Sequence, residues 1–518
     1  MVCGVGVGNF TIFIPEIRVP QPTKIMNKPT VNRYPMVAAA LFFMAGITLF
    51  DSVVVPWWVM WGGVLFCLVL AAVMIRQRVA NLYIAVALFL FGGAILTMRG
   101  FSPQITPNER AFLTLEVEDN AVIRKGFAVM PARIVEYEQG EGVRPSSERV
   151  NLLLDTLVNA DFGSRIEALG RILPFPEKEG EYGRLMLHRG FSGTLFLRAD
   201  DVVKVENRKV QNLHTIAIER LSRLKLSGDE AAIVGAMAVG DRRGMTPELR
   251  EAYARAGASH ILAVSGLHVG IIFLLFNLLL AWLPLLRHGQ VIRAVAVVVP
   301  IWIYAAMCGF SPSVVRAAVM FSALQLSVAA SSVYLSLNTL AFTAFAMLLY
   351  RPDYLFDCSF QLSFIAVFAI VVWGVPLMRS LRTQRRWLNA IMATMVVGMV
   401  SSLATMPLVA HIFGTVSLVG IVLNPLVIVV AYLVVILSVV WIALPFAPLA
   451  GLVGFALDAV VKSLNFVIEM VAGWEWSAVE ISLPMWAVWI IYAIAVAITA
   501  LLGYTETKKS VNLPYDNS

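Results

Sequence analysis

Twelve stretches of this chain are apolar for nearly the length a helix needs to cross a bilayer, about 20 residues. Nothing else in the sequence narrows its fold so far. They lie at roughly 35–50, 54–75, 79–98, 261–286, 292–309, 313–331, 337–350, 359–378, 388–412, 416–444, 448–472 and 485–503. Inside hydrocarbon a backbone must satisfy its own polar groups, so such runs become helices. With 59% hydrophobic and 14% charged residues and a mean hydropathy of +0.79, the expected fold is a polytopic α-helical membrane protein with about 11–12 transmembrane helices.

The net charge of +7 suggests nucleic acid until it is located. Residues 99–260, the one long polar stretch, hold 23 Lys/Arg and 23 Asp/Glu. The excess sits in short segments flanking the apolar runs: Arg18, Lys24, Lys28 and Arg33; Arg76 and Arg78; Arg287 and Arg293; Arg379, Arg382, Arg385 and Arg386; Lys508 and Lys509. Basic residues collect on the cytoplasmic side of membrane proteins, and twelve spans starting inside put every cluster there. Residues 99–260 then lie outside, with Asp51, Asp353, Glu475 and Glu480. Topology accounts for the charge without a DNA-binding surface.

Five regions follow. Residues 1–34 read as an N-terminal tail without the order of a cleavable signal, or as sequence ahead of a true start at Met26. Residues 35–98 form three spans, 99–228 a small β-rich extracytoplasmic domain, 229–503 a second transmembrane domain of nine spans and 504–518 a cytoplasmic tail. Within the β-rich domain Phe112–Glu118 alternates with period two, and 122–137, 150–157 and 184–205 are rich in β formers between glycines. That pattern suggests a small antiparallel barrel. Helical periodicity resumes over 227–258, with Asp229 and Thr246 as caps. The four cysteines, Cys3, Cys67, Cys308 and Cys358, leave 99–260 without a disulfide framework or a Cys-ligated metal site, and those in apolar runs read as buried small hydrophobes.

Polar residues within the apolar runs are the functional candidates. The string GASHILAVSGLHVG runs from Gly257 to Gly270. In one helix His260 and His268 would lie two turns apart on one face, with Ser265 a turn before His268, and Gly266 and Gly270 at a spacing that admits a close neighbour. A second string, GFSPSVVRAA from Gly309 to Ala318, places Ser311 ahead of a span and Arg316 one turn inside it. An unpaired guanidinium there costs about 3 kcal/mol, so Arg316 snorkels, pairs with Asp357, or faces a polar interior where it contacts phosphates bidentately. Asp357, Ser359, Gln361 and Ser363 follow in LFDCSFQLSF, and Asn338, Thr405, Pro407, His411, Asn424 and Pro425 complete the set. Asn424-Pro425 is expected to break its span near mid-membrane, an ingredient of translocation paths. For any one of these residues taken alone, helix packing is the commoner explanation.

The block from Gly240-Asp241-Arg242-Arg243-Gly244 to Gly270 resembles the ComEC-type competence proteins. The Gly-x-Ser-x-x-x-x-Arg-Ala string at 309–317 and Phe360-Gln361-Leu362-Ser363-Phe364 are similar to the same family. The resemblance covers most of the chain and is strongest over 240–270. It implies a channel, or channel core, that carries single-stranded DNA across the inner membrane in competence-type uptake. It also implies an OB-like fold for 99–228, with single-stranded DNA, membrane lipids, an external DNA receptor and cytosolic helicase or single-strand-binding proteins as partners. The path would be lined by His260, Ser265, Gly266, His268, Ser311, Arg316, Asp357, Gln361, Ser363 and Asn424. OB folds often bind oligonucleotides, yet 99–228 is neutral and lacks interleaved basic and aromatic residues, so docking is an equal expectation.

Longer relatives continue into a metallo-β-lactamase-like domain, whereas this sequence stops about fifteen residues after its last span. No enzyme activity, catalytic residue, metal or cofactor is therefore expected. No Gly-x-x-x-x-Gly-Lys-Ser/Thr string is present for ATP, and His188 and His214 stand apart from other ligand types. Two alternatives stay open. One is a transporter of another polyanion or of a small solute. The other is a membrane hydrolase with Ser265 as nucleophile and His268 as base, for which no Gly-x-Ser-x-Gly elbow exists.

One pattern needs no family. Asp458, Lys462, Asn465 and Glu469 recur at spacings of four, three and four, on one face of an apolar helix. Such a stripe cannot face lipid. The expectation is a spanning helix with Lys462 and Asp458 as a buried pair, against a helix lying flat with its stripe toward water. Orientation is checked with fusions: a reporter active only outside the cytoplasm is expected to be active after Val150 and silent after Arg386. The reverse pattern would move the β-rich domain inside.

Overall fold

The structure, a computed structural model, describes residues 35–511 apart from 54, 76, 78, 99–103, 120, 125, 141, 176–179, 208–210, 225, 227, 263, 330–335, 444–446 and 475. The tail expected at 1–34 with Cys3 and its basic residues, Arg76, Arg78, Glu475 and 512–518 lie outside the described residues.

The chain opens with helices α1 (Pro35–Ser52), α2 (Trp57–Val73) and α3 (Ala80–Met98). α1 and α3 approach closely because neither carries a side chain at the crossing. A Cβ at Gly46 would fall on the Phe89 carbonyl, and one at Gly92 on that of Phe43.

Eight strands follow: β1 (Arg110–Val117), β2 (Val122–Arg124), β3 (Phe127–Glu138), β4 (Val143–Pro145), β5 (Arg149–Asp155), β6 (Arg165–Leu173), β7 (Phe191–Leu197) and β8 (Val202–Glu206). Five of them close a barrel in the order β1-β3-β5-β7-β6 and back to β1, with only β5–β7 parallel. This is the OB-like barrel the resemblance implied. Its interior follows from the two-residue period of a strand: Leu113, Leu115 and Val117 of β1, Met130, Ala132 and Ile134 of β3, and Val150, Leu152 and Leu154 of β5 all point into one core. Two local expectations change. Strand β6, with Arg165, Glu167 and Arg171 among its residues, gives little sequence signal. Residues 184–188 are not strand but the end of helix α4 (Gly180–His188).

The helical stretch expected over 227–258 is interrupted. After α5 (Leu213–Ser222) come α6 (Gly228–Val239) and α7 (Pro247–Arg255), parted at Gly240, whose φ of +85° is the left-handed value that ends helices at glycine. Then follow α8 (Gly266–Leu279), α9 (Gly289–Met307), α10 (Pro312–Ala329), α11 (Ser336–Tyr350) and α12 (Cys358–Ala369). α12 passes through a π-helical turn at Ile370–Gly374 into α13 (Val375–Ser380). The last helices are α14 (Arg386–Phe413), α15 (Gly420–Ala443), α16 (Ala450–Ala472) and α17 (Met485–Val511). All twelve apolar runs are therefore helical. Among the described residues, seven helices are long and apolar enough to cross a membrane, and five others are apolar but shorter.

The break expected at Asn424-Pro425 does not occur. Residues 415–417 pair as β9 (Thr415–Ser417) with β10 (Ala478–Glu480), so α15 starts only at Gly420. Pro425 then falls in the second turn, near the helix end, where a missing N–H disturbs few bonds.

Two compact units emerge. One holds the described residues up to Pro247, with His260–Phe364 and Val430–Ser463; the other holds Glu248–Ser259, Ile365–Val429 and Leu464 onward. The first contains the barrel and a core in which Val269 and Ile272 of α8, Val297 and Ile301 of α9 and Val314 and Ala318 of α10 meet. In the second, Trp373 donates to Thr499 Oγ1 at 2.8 Å and the Tyr492 hydroxyl to the Ala404 carbonyl at 2.9 Å.

The α1–α3 crossing is testable by size. Gly46→Leu or Gly92→Leu is expected to destabilise the protein by at least about 1–3 kcal/mol, read as a lower melting temperature in detergent. Gly62→Ala, where no atom lies within 4 Å of the added Cβ, should leave the melting temperature unchanged.

Candidate functional site

The polar residues of the first unit gather where helices begin. α8 starts at Gly266, and Ser259–Ile261 is a separate 3-10 turn. His260 and His268 therefore do not share a helical face, because they belong to separate elements. Ser265 is the N-cap residue of α8. Its backbone N–H donates to His268 Nδ1 at 2.8 Å, and its Oγ lies 3.1 Å from the same nitrogen. The imidazole thus closes the helix end reciprocally, as a capping box does. Nδ1 accepts, which leaves the proton on Nε2, and Nε2 is buried without a partner.

Ser313 Oγ donates to the Val264 carbonyl at 2.6 Å, and a Cβ at Gly266 would sit 3.4 Å from that of Ala317. The starts of α8 and α10 are therefore side by side. Ahead of α10, Gly309 and Phe310 take φ values of +62° and +51°. For phenylalanine that region is strained and persists only where surroundings impose it. Ser311 follows, its Oγ buried and unpartnered. Arg316, 3% exposed, reaches α12, donating from Nη2 to the Ser359 carbonyl at 2.9 Å and to Ser359 Oγ at 3.0 Å. Its Nε has no partner.

The expected alternative pair of Arg316 with Asp357 does not form. Asp357 Oδ1 accepts from the N–H groups of Ser359 (2.8 Å) and Phe360 (3.1 Å), capping α12, while Oδ2 takes Arg189. Gln361 donates to the Leu355 carbonyl at 2.9 Å, and Ser363 is half-buried on α12. Asn424 belongs to the second unit, where it donates to Ser402 Oγ at 3.2 Å and its Oδ1 is buried without a partner.

Sequence reasoning set His188 aside and did not consider Arg189. Both lie where α4 ends, and both seat the barrel on the helices. His188 is 2.7 Å from Asp51 at the end of α1, and Arg189 reaches Asp357. Beside them lies a cavity of about 540 Å³, lined by Glu118, Arg149, His188, Arg189, Arg351 and Asp353 among others. Arg149 pairs with Glu118 at 2.5 Å and Arg351 with Asp353 at 2.8 Å. Burial pulls the Arg189 guanidinium below its ordinary value, with Asp353 opposing. No sequence signal announces these pairs, since the partners stand 137 and 168 residues apart. His214, likewise set aside, bonds the Met307 carbonyl at 2.7 Å.

The stripe on α16 is not buried as a pair. Lys462 and Asp458 are 2.8 Å apart, but their side chains are 56% and 27% exposed. Glu469 is also exposed. Leu457, Val461, Leu464 and Ile468 take the buried face instead, which turns the charges to its edge. Only Asn465 is buried, accepting from the Tyr253 hydroxyl at 2.7 Å. Cys67, Cys308 and Cys358 are free thiols. Among the described residues no three His, Cys, Asp or Glu side chains converge as a metal would require.

Helices of membrane-spanning length and an OB-like barrel seated on them define a multi-pass membrane protein. A family model described as "Competence protein" matches residues 237–505, which takes in the His268, Arg316 and Asp357 sites. The chain belongs to this competence protein family. It is 28% identical over 211 residues to ComE operon protein 3 of Bacillus subtilis (strain 168), which is 39% of this chain and 25% of that protein. An uncharacterized protein of Aquifex aeolicus (strain VF5) is 34% identical over 131 residues, 25% of this chain and 30% of the relative. The chain thus spans less than a third of either relative. No solved structure matches it.

Within the matched region Asp241 and Arg243 form a two-pronged pair, Nε to Oδ1 at 2.9 Å and Nη2 to Oδ2 at 2.8 Å. Burial pushes the Asp241 carboxyl up, but hydrogen bonding and charge from Arg243 outweigh it and hold the carboxyl below its ordinary value. A depressed folded value contributes stability above the unfolded pKa, near 3.9, and loses it as pH falls through the folded one. Asp241→Asn is therefore expected to melt below the parent at pH 7, with the gap closing on acidification below pH 4.

Proposed function

We propose that this chain is the channel core through which single-stranded DNA crosses the inner membrane in competence-type uptake, with the barrel outside and the Arg379–Arg386 loop in the cytoplasm. The observation that carries the reading is the set of buried, unsatisfied polar atoms, His268 Nε2, Ser311 Oγ and Arg316 Nε, all within the region matched by the competence family. Each buried donor or acceptor left unpaired costs about 1–3 kcal/mol, a burden that a polar strand or its water relieves. The starts of α8, α10 and α12, joined by the Ser313–Val264 and Arg316–Ser359 bonds, add partial positive charge from three helix N-termini, a field suited to phosphates. Cytosolic motors and external receptors are supplied by partners.

A membrane hydrolase is the second reading, favoured by the 3.1 Å approach of Ser265 Oγ to His268 Nδ1. Against it, the nitrogen that would act as base already accepts the Ser265 N–H, and no third group orients the ring through Nε2. A fluorophosphonate probe is expected to leave Ser265 unmodified.

Internalisation of labelled DNA in a deletion strain carrying plasmid-borne variants tests the proposal. Arg316→Ala and His268→Ala should lower uptake by at least roughly tenfold at normal membrane abundance. Loss of the protein itself would assign both residues to packing. Uptake restored by Arg316→Lys would show that charge suffices without the guanidinium geometry.

A further inference from the structure

The segment α5–α6 follows the barrel in the chain, yet its contacts belong to both ends of the helical bundle. Arg189 holds Asp357 at the start of α12, and Arg316 at the start of α10 bonds Ser359. The end of α9, five residues before α10 begins, thus lies on the barrel side. From Cys358 the chain passes through three helices long and apolar enough to cross, Cys358–Ser380, Trp387–Phe413 and Leu423–Ala443. An odd number of crossings delivers the end of α15 and the start of α16 to the opposite side.

α5 touches both levels. At its start His214 donates to Met307 at the end of α9. At its far end Trp441 Nε1 donates to the Arg220 carbonyl at 2.8 Å, Arg220 bonds the Ile442 carbonyl, and a Cβ at Gly454 would sit 2.9 Å from the Leu224 carbonyl. α6 then returns: the Ala238 carbonyl accepts from the Tyr304 hydroxyl at 3.1 Å, back at the end of α9. Helices of 10 and 12 residues span about 15 and 18 Å, half or more of a hydrocarbon core about 30 Å thick. α6 is buried on every side from Ala232 to Val239, apart from partly exposed Gly235, as a helix enclosed by others must be.

We infer that α5–α6 is a re-entrant helical hairpin, dipping into the bilayer from the barrel side, and that its charged tip and the Asp458–Lys462 edge of α16 share a water-filled vestibule open on the opposite side. The tip carries Glu219 paired with Arg223 at 3.2 Å, both more than half exposed, and Asp229 and Glu230 in the first turn of α6. Gly454, against which the Leu224 carbonyl packs, lies one turn before Asp458 and two turns before Lys462 on α16. Charges at this depth facing hydrocarbon would cost about 2.5–3.5 kcal/mol apiece. Re-entrant backbone is tolerated where it is buried in protein or lines water, and the apolar return helix beside a charged tip meets both conditions. The Asp458–Lys462 edge of α16 faces that water, which is why the pair is exposed while the helix still spans.

Accessibility in sided vesicles decides the matter. With Cys3, Cys67, Cys308 and Cys358 replaced by alanine, Glu230→Cys and Lys462→Cys are treated with a membrane-impermeant charged methanethiosulfonate. Asp200→Cys on the barrel and Leu449→Cys beside α16 mark the two faces. Both test cysteines are expected to react from the Leu449 face, within tenfold of the Leu449→Cys rate, and not from the Asp200 face. Reaction from the Asp200 face would return α5–α6 to the barrel's own surface. Reaction only in detergent would mean lipid or a second copy covers the tip, and either result overturns the inference. If Lys462→Cys fails to accumulate, Glu219→Cys carries the same test. Labelling does not depend on what crosses the membrane, so failure here leaves the proposed DNA function standing, and failure of DNA uptake leaves the hairpin standing.

Discussion

A single carboxylate, that of Asp357, joins the parts of this protein that differ most in character. One oxygen caps α12 through two backbone N–H groups and the other takes Arg189 from the barrel. Two residues on, Ser359 holds Arg316. The barrel, the start of α12 and the buried guanidinium of α10 are therefore linked through one short run of backbone. Buried at 6% exposure, Asp357 would be costly alone. Satisfied on both oxygens, it makes the seating of the barrel and the position of Arg316 mutually dependent.

His188 with Asp51 repeats the arrangement at α1, a basic group from the end of α4 meeting an acid at a helix end. Close packing of α1 on α3 at Gly46 and Gly92 keeps that acid in place. The two clamps contrast with the interior polar atoms of His268, Ser311 and Arg316, which sit within bonding range of only part of what they can bind. Both oxygens of the Asp357 clamp are met, whereas His268 Nε2, Ser311 Oγ and Arg316 Nε are not.

Capping explains the signature residues in part. Ser265 and His268 start α8, and Asp357 starts α12. A helix start inside a bundle leaves N–H groups that must be met by side chains, so some of the polarity in these apolar runs is the requirement of beginning a helix in an apolar setting. The remainder, His268 Nε2 and Arg316 Nε, is surplus to that need.

The positions of the twelve apolar helices and the β character of 99–228 were legible in the sequence, because apolarity and a period of two are local properties that the chain carries whatever its neighbours. The candidates His268, Arg316 and Asp357 were legible for the same reason: a polar residue in an apolar run stands out at once. Helix starts were less so. α8 begins five residues later than its apolar run, and α15 begins after a β-ribbon formed with a partner more than sixty residues away, which moved Pro425 to a harmless position. Strand β6 was hidden because its place is set by pairing with β1 on one side and β7 on the other. Only the tertiary structure decided that Arg189, rather than Arg316, meets Asp357, and that Lys462 stands at the edge of a packed face instead of beneath it. Such pairings are matters of which surfaces meet, and the free energy that selects among them belongs to contacts between segments far apart in the chain, of which a single sequence bears no mark.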